Sequence, residues 1–104
     1  MLSLENIRAE IVEILEGHDF LIYAPISSKR IIGRKPDCLE ETDLYFYIEI
    51  DFWWLFVIAR IIRYERISKA RIESKIIGRK FCIGKRHLIK SLEKFIMRIN
   101  LELL

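Results

Sequence analysis

The feature that most restricts the fold of this chain is an apolar run at residues 44–50 (LYFYIEI) that ends among acidic side chains. Its aromatic and β-branched residues suit the pleated surface of a buried strand. Unpaired carboxylates do not suit such a strand, because moving a charge out of water is costly. The run ends on Glu49 and Asp51, and Glu49, with Asp37 in the preceding Pro-Asp pair, therefore indicates that a positive partner such as a divalent metal binds here.

Two further interpretations of these acids stay open. A Pro-Asp pair such as Pro36-Asp37 is common in turns, where the Asp side chain caps the local backbone. Glu49 could instead pair with an arginine in the core, an arrangement that is costly but occurs in proteins.

Charge is distributed unevenly along the 104 residues, which we expect to form a single domain. Apolar residues make up 52% of the chain and charged residues 32%, as in globular proteins. Residues 1–51 carry 5 Lys/Arg against 11 Asp/Glu, whereas residues 52–104 carry 13 against 4. This pattern predicts either a metal site beside a phosphate-binding surface, or two halves that pair within the fold or across a dimer.

The composition also bears on location and on the cysteines. The longest apolar run, residues 52–59, has eight residues, whereas a membrane-spanning helix needs about 20. The N-terminus lacks an apolar signal region, so we expect a soluble, cytoplasmic protein.

Twenty isoleucines and the absence of Gln are typical of a hyperthermophile. Cys38 and Cys82 lack zinc-site spacing, and we expect two small buried residues rather than a disulfide.

The periodicity of apolar residues predicts the order of elements. Residues 4–16 have helical spacing and end before Gly17, a good C-terminal cap. Residues 85–99 also have helical spacing, with Leu88, Leu92 and Phe95 on the inner face. The remaining predictions are strands at 20–24, 44–50 and 79–83, and a loop or hairpin strand at 27–35.

The interval between Pro36 and Gly78 holds 41 residues without Gly or Pro. The lack of breakers favours a helix over roughly 53–73. Several of its apolar residues fall on every second position, which favours instead two strands, over roughly 53–64 and 70–77. Both alternatives stay open. Its aromatic residues are expected in the core; if exposed, they would form a dimer face or a base-stacking wedge. These aromatic residues are Trp53, Trp54 and Phe56.

In this order of elements the sequence resembles the PD-(D/E)xK nuclease superfamily, and within it the archaeal Holliday-junction resolvases. The segments that carry the resemblance are RAEIVEILEGHDF, APISSKR, Pro36-Asp37, YFYIEID and, more loosely, FCIGKRHLIKSLEKF. The resemblance covers the first half of the chain and residues 79–97. It implies an α/β (α+β) fold in which a restriction-endonuclease-like mixed sheet is flanked by helices.

The resemblance implies a Mg²⁺- or Mn²⁺-dependent endonuclease that acts as a homodimer on branched DNA. Metal-assisted cleavage of a phosphodiester requires carboxylates that converge on a hard cation. The resemblance implies metal binding by Asp37, Glu49 and a glutamate of the first helix, Glu10 or Glu5, and catalysis by Asp37, Glu49, Asp51 and Lys85. It implies nucleic-acid contacts for Ser27, Ser28, Lys29, Arg30, Arg34, Lys35, Lys80, Lys85 and Arg86.

One residue departs from the family pattern. The family has a lysine two residues after the glutamate of the strand, and this chain has Asp51 there. An aspartate cannot supply the positive charge that the lysine brings to the transition state, so Lys85 or Lys80 would have to replace it. The sequence therefore also supports a catalytically inactive nucleic-acid-binding domain of the same fold, or an oligomeric interaction or structural protein.

Overall fold

The computed structural model describes residues 4–23, 29–36, 42–54 and 56–104. Over these residues the chain forms a helix, five strands and a second helix. Their bounds are α1 Leu4–Gly17, β1 Leu21–Tyr23, β2 Arg30–Lys35, β3 Leu44–Phe52, β4 Val57–Ser68, β5 Arg71–Cys82 and α2 Lys85–Leu103. The protein therefore has an α+β architecture, which confirms the predicted class in its coarser form. No helix in these ranges has the length and apolar composition needed to cross a bilayer.

The five strands form one sheet in chain order, with each strand hydrogen-bonded to the next. All four pairings between described strands are antiparallel, so the predicted mixed sheet is wrong for this part of the chain. The physical reason is the length of the connections. A parallel pair needs a crossover of about a dozen residues or more, whereas β3 and β4 are joined by residues 53–56 and β4 and β5 by residues 69–70.

The central strand β3 divides its side chains between the two faces of the sheet. Successive side chains of a strand point to opposite faces, so every second residue shares a face. The buried set is Phe46, Ile48, Ile50 and Phe52. The other set is Tyr45, Tyr47, Glu49 and Asp51, and its members are partly exposed. The face that carries this second set is called the open face below.

The hairpin of β4 and β5 resolves the alternatives left by the sequence. Residues 57–82 form two strands, and the predicted helix over 53–73 is wrong. Val57, Ala59 and Ile61 are buried and alternate with less buried residues, which is the period of a strand. The argument from missing breakers failed because the hairpin turns at Lys69-Ala70, without Gly or Pro. The strand predicted at 79–83 is the end of β5.

Both helices pack on the face opposite the open face, over a single core. α1 buries Ile7, Ile11 and Leu15 there. A Cβ at position 33 of β2 would lie 3.3 Å from Leu15 Cδ1, so a glycine allows α1 to approach closely. α2 buries Leu88, Leu92, Phe95, Ile96 and Ile99, which confirms its predicted inner face. Because both helices lie on one side, they do not flank the sheet as the resemblance implied.

The first helix ends in a Schellman motif. The backbone N–H of Phe20 donates to the Leu15 carbonyl, and that of Asp19 to the Glu16 carbonyl, both at 3.0 Å. The left-handed residue is Asp19, with φ 66°, and aspartate tolerates this conformation better than most residues. The sequence predicted the C-terminal cap at Gly17, and this is wrong: the capping residue is Asp19, two positions later.

Cys82 closes the core at the end of β5. Its side chain is fully buried and forms no disulfide, and its Sγ lies 3.5 Å from Ser91 Oγ. The prediction of a small buried residue is confirmed for Cys82, whereas Cys38 lies outside the described residues.

Candidate nucleic-acid interface

Glu49 and Asp51 lie side by side on the open face, and two arginines neutralise them. Arg30 Nε donates to Asp51 Oδ1 at 2.6 Å, and Arg60 Nη2 donates to Asp51 Oδ2. The same Arg60 nitrogen lies 3.2 Å from Glu49 Oε2. Sheet register produces these contacts, because Arg30 pairs with Asp51 across β2–β3 and Arg60 with Glu49 across β3–β4. Glu49 therefore pairs with an arginine, as one interpretation of the sequence predicted, but on the partly exposed open face and not in the core.

Arg60 was not identified from the sequence, although it holds both acids. Its position depends on the register of the β3–β4 hairpin, whose turn carries no Gly, Asn or Pro to reveal it. The alternation along β4 gives one usable signal, since Arg60 falls between the apolar residues Ala59 and Ile61. Arg60 therefore belongs to the open face once β4 is recognised as a strand.

The structure separates the predicted metal ligands and catalytic residues. Glu10 lies on α1, across the sheet from Glu49, and its Oε2 is 2.5 Å from Lys85 Nζ. Lys85, at the start of α2, therefore pairs with Glu10 and not with the acids of the open face. Among the described residues no group of three or more His, Cys, Asp or Glu could hold a metal ion. Asp37 lies outside the described residues.

Five of the predicted nucleic-acid contacts gather at one end of the sheet. The strands of an antiparallel sheet alternate in direction. One end of this sheet therefore holds the start of β2, the end of β3, the start of β4 and the end of β5. The hydrogen bond from Phe52 N–H to the Lys29 carbonyl, at 2.8 Å, joins two of these strands there. The residues at this end are Lys29, Arg30, Lys80, Lys85 and Arg86. Ser27 and Ser28 lie outside the described residues.

Arg34 and Lys35 lie near the other end of β2 and make contacts within the fold. The Arg34 guanidinium lies 4.1 Å from the centre of the Tyr45 ring, and its Nε donates to the Pro36 carbonyl at 3.3 Å. Lys35 Nζ donates to the His18 carbonyl at 2.7 Å and to Asn100 Oδ1 at 2.8 Å. Lys35 thus ties the end of α1 to α2.

A cluster of tyrosines covers the open face beside Arg34. The rings of Tyr45 and Tyr64 stack with centres 5.0 Å apart, and Tyr47 meets both edge-on. A side-chain hydrogen bond with Tyr47, followed by burial, raises the pKa of Tyr23. Burial, followed by the charge of Glu49, raises the pKa of Tyr64. These hydroxyls therefore stay protonated at neutral pH.

The aromatic residues at 53–56 are not core residues, which corrects the prediction. The Trp53 N–H donates to the Phe56 carbonyl at 2.8 Å and closes the turn between β3 and β4. Trp53 is 56% exposed, Trp54 77% and the nearby Phe81 59%. The Trp53 and Phe56 rings are nearly parallel with centres 6.0 Å apart, and the Phe56 and Phe81 centres are 5.5 Å apart. Trp53, Trp54, Phe56 and Phe81 are called the aromatic tip below.

Exposed cations lie on β5 and α2, before and after Phe81 in the chain. Arg79, Lys80, Arg86 and Lys90 are exposed. No acidic side chain within the described ranges forms an ion pair with any of the four. These four cations of the basic second half are therefore available to an anionic ligand.

Comparison with protein-family models found no matching family, and searches of curated proteins and of solved structures found no significant match.

Proposed function

We propose that the protein binds nucleic acid through the basic surface of β5 and α2, without a metal centre of its own. One observation carries this proposal. Arg60 and Arg30 neutralise Glu49 and Asp51, whereas Arg79 and Lys80 of β5 and Arg86 and Lys90 of α2 form no ion pair with a described acidic side chain. The acids therefore serve the fold, and the free positive charge faces the ligand.

The distribution of charge supports a polyanionic ligand. Residues 52–104 carry 13 Lys/Arg against 4 Asp/Glu. Several of these cations belong to one edge strand and to the helix that follows it, which supports binding of a phosphate backbone along these two elements. DNA, including branched DNA, is the ligand to test first.

The endonuclease hypothesis remains the second candidate. The order of α1, β1, β2 and β3 supports a restriction-endonuclease-like core, as does the adjacency of Glu49 and Asp51. A Mg²⁺ or Mn²⁺ site at Glu49 would first require Arg60 to release that carboxylate. Two metal sites on a homodimer would then face the two strands of a junction.

A cleavage assay distinguishes the two candidates. A labelled four-way junction and a matched linear duplex are incubated with the protein in Mg²⁺, in Mn²⁺ and in EDTA, with Glu49→Ala and Asp37→Ala in parallel. We expect binding in EDTA and no cleavage in either metal. Metal-dependent cutting that both substitutions abolish would establish the endonuclease instead, and failure to bind any nucleic acid would refute both candidates.

A further inference from the structure

The aromatic tip leaves several large apolar side chains exposed to water. Its two tryptophans and Phe81 are each more than half exposed, and the exposed Ile83 follows Phe81 by two residues. Contiguous exposed apolar surface on a folded protein usually marks a place where a ligand or partner binds.

The surroundings of the tip favour an anionic ligand. Arg79 and Phe81 are two residues apart on β5 and so share the open face, at strand spacing of about 3.3 Å per residue. Lys80, between them, projects from the opposite face of the same edge strand. A phosphate attached to a planar group stacked on Phe81 would therefore have Arg79 within reach on the same face of the sheet.

The shape of the tip favours one kind of nucleic acid. Within a duplex each base already stacks on its neighbours, so its flat face is not available to a side chain. Unpaired bases can stack on exposed aromatic rings, and adjacent cations hold the phosphates between them. The near-parallel rings of Trp53 and Phe56, which continue to Phe81, offer such a platform.

We propose that the aromatic tip binds unpaired bases, so that the preferred ligand is single-stranded nucleic acid. This inference rests on the proposed function and names its substrate class. A second copy of the chain fits the tip less well, because two tips in contact would bring the Arg79, Lys80 and Arg86 charges of both copies together.

The sequence provides a direct reporter for this inference. Trp53 and Trp54 are the two tryptophans of the chain, and both belong to the tip. Intrinsic tryptophan fluorescence therefore reports on this surface alone. The probe is a thymidine oligonucleotide of about 12 nucleotides, which matches the usual range of site sizes, and the comparison is the same oligonucleotide paired with its complement.

We expect the single strand to quench tryptophan fluorescence and to bind at least about tenfold more tightly than the duplex. Phe81→Ala and Trp54→Ala should each weaken single-strand binding about tenfold and leave duplex binding unchanged, since one stacked base is lost. Trp54→Phe keeps an aromatic face and should retain most of the affinity. Met97→Ala removes an exposed apolar side chain of α2, 63% exposed, and is the matched control, with no expected effect.

Three results would overturn the inference. Equal affinity for single strand and duplex, unaffected by Phe81→Ala and Trp54→Ala, would leave nucleic-acid binding intact and refute the role of the tip. Self-association that the same substitutions abolish, without preference for single strands, would identify the tip as a protein interface. Absence of binding to either oligonucleotide would refute the proposed function together with this inference.

Discussion

Replacing Asp51 with asparagine tests whether the acids of the open face hold arginines or form a metal site. Asp51 accepts hydrogen bonds from Arg30 at 2.6 Å and from Arg60. Asparagine keeps the shape of the side chain and removes its charge. Arg60 would then keep Glu49, at 3.2 Å, as its remaining described acidic partner, and Arg30 would lose its own.

The size of the effect follows from the exposure of the partners. The Arg30 side chain is 46% exposed, and an ion pair of that exposure contributes about 0.5 kcal/mol. The contact with Arg60 joins side chains that are 16% and 23% exposed, and a charged hydrogen bond at that burial contributes about 1.5 kcal/mol. Asp51→Asn should therefore lower the free energy of unfolding by about 2 kcal/mol, or Tm by about 8 °C.

A metal site predicts the opposite sign. Without a bound cation, two adjacent ligand carboxylates repel each other, so removing one charge would raise stability. The assay is urea and thermal unfolding in EDTA, followed by circular dichroism. Glu73→Gln is the matched control, because it removes an exposed pair with Arg71 at 2.9 Å and should change stability by less than about 0.5 kcal/mol. Equal or greater stability of Asp51→Asn would refute the ion-pair account.

Three further predictions test other parts of the structure. Lys35→Met should lower the free energy of unfolding in urea by about 1–2 kcal/mol, because the His18 carbonyl and Asn100 Oδ1 lose the donor that ties α1 to α2. Unchanged stability would contradict this. Gly84→Ala should lower the free energy of unfolding by about 1 kcal/mol, because Gly84 precedes α2 with φ 89°. Gly17→Ala is the control and should not lower it, because the space around Gly17 is open. Burial raises the pKa of Tyr64 above the ordinary value of 10.0, so the folded state holds this proton more tightly than the unfolded chain and stability falls as pH rises beyond that value. Titration of phenolate absorbance should show one late-ionising tyrosine fewer in Tyr64→Phe than in the unchanged protein, and identical titrations would contradict the burial.

The parts of the fold that were predictable are those in which local periodicity coincides with burial. The helix at 85–99 was correct in position and inner face because Leu88, Leu92 and Phe95 recur at helical spacing over several turns. The strand at 44–50 was correct because its aromatic and β-branched composition suits a pleated, buried surface. Residues 57–82 were ambiguous since their isoleucines fit either period and the turn at Lys69-Ala70 has no breaker.

The candidate site was harder to predict because it depends on strand register. Nothing local in the sequence shows that Arg60 stands opposite Glu49. The exposure of Trp53 and Trp54 was missed for a related reason. Their composition indicates burial, but a short connection between two paired strands keeps them at the edge of the sheet, away from the core.

The most direct test of the account is the salt dependence of binding to a labelled single-stranded thymidine oligonucleotide in EDTA. We predict that the logarithm of the affinity falls linearly with the logarithm of salt concentration, by about 0.7 for each phosphate contacted. Replacing both Lys80 and Arg86 with glutamine should reduce the slope by about 1.4, whereas Lys69→Gln, at the far turn of the β4–β5 hairpin, should not change it. An affinity that is independent of salt, or binding that appears only when Mg²⁺ is added, would contradict the account.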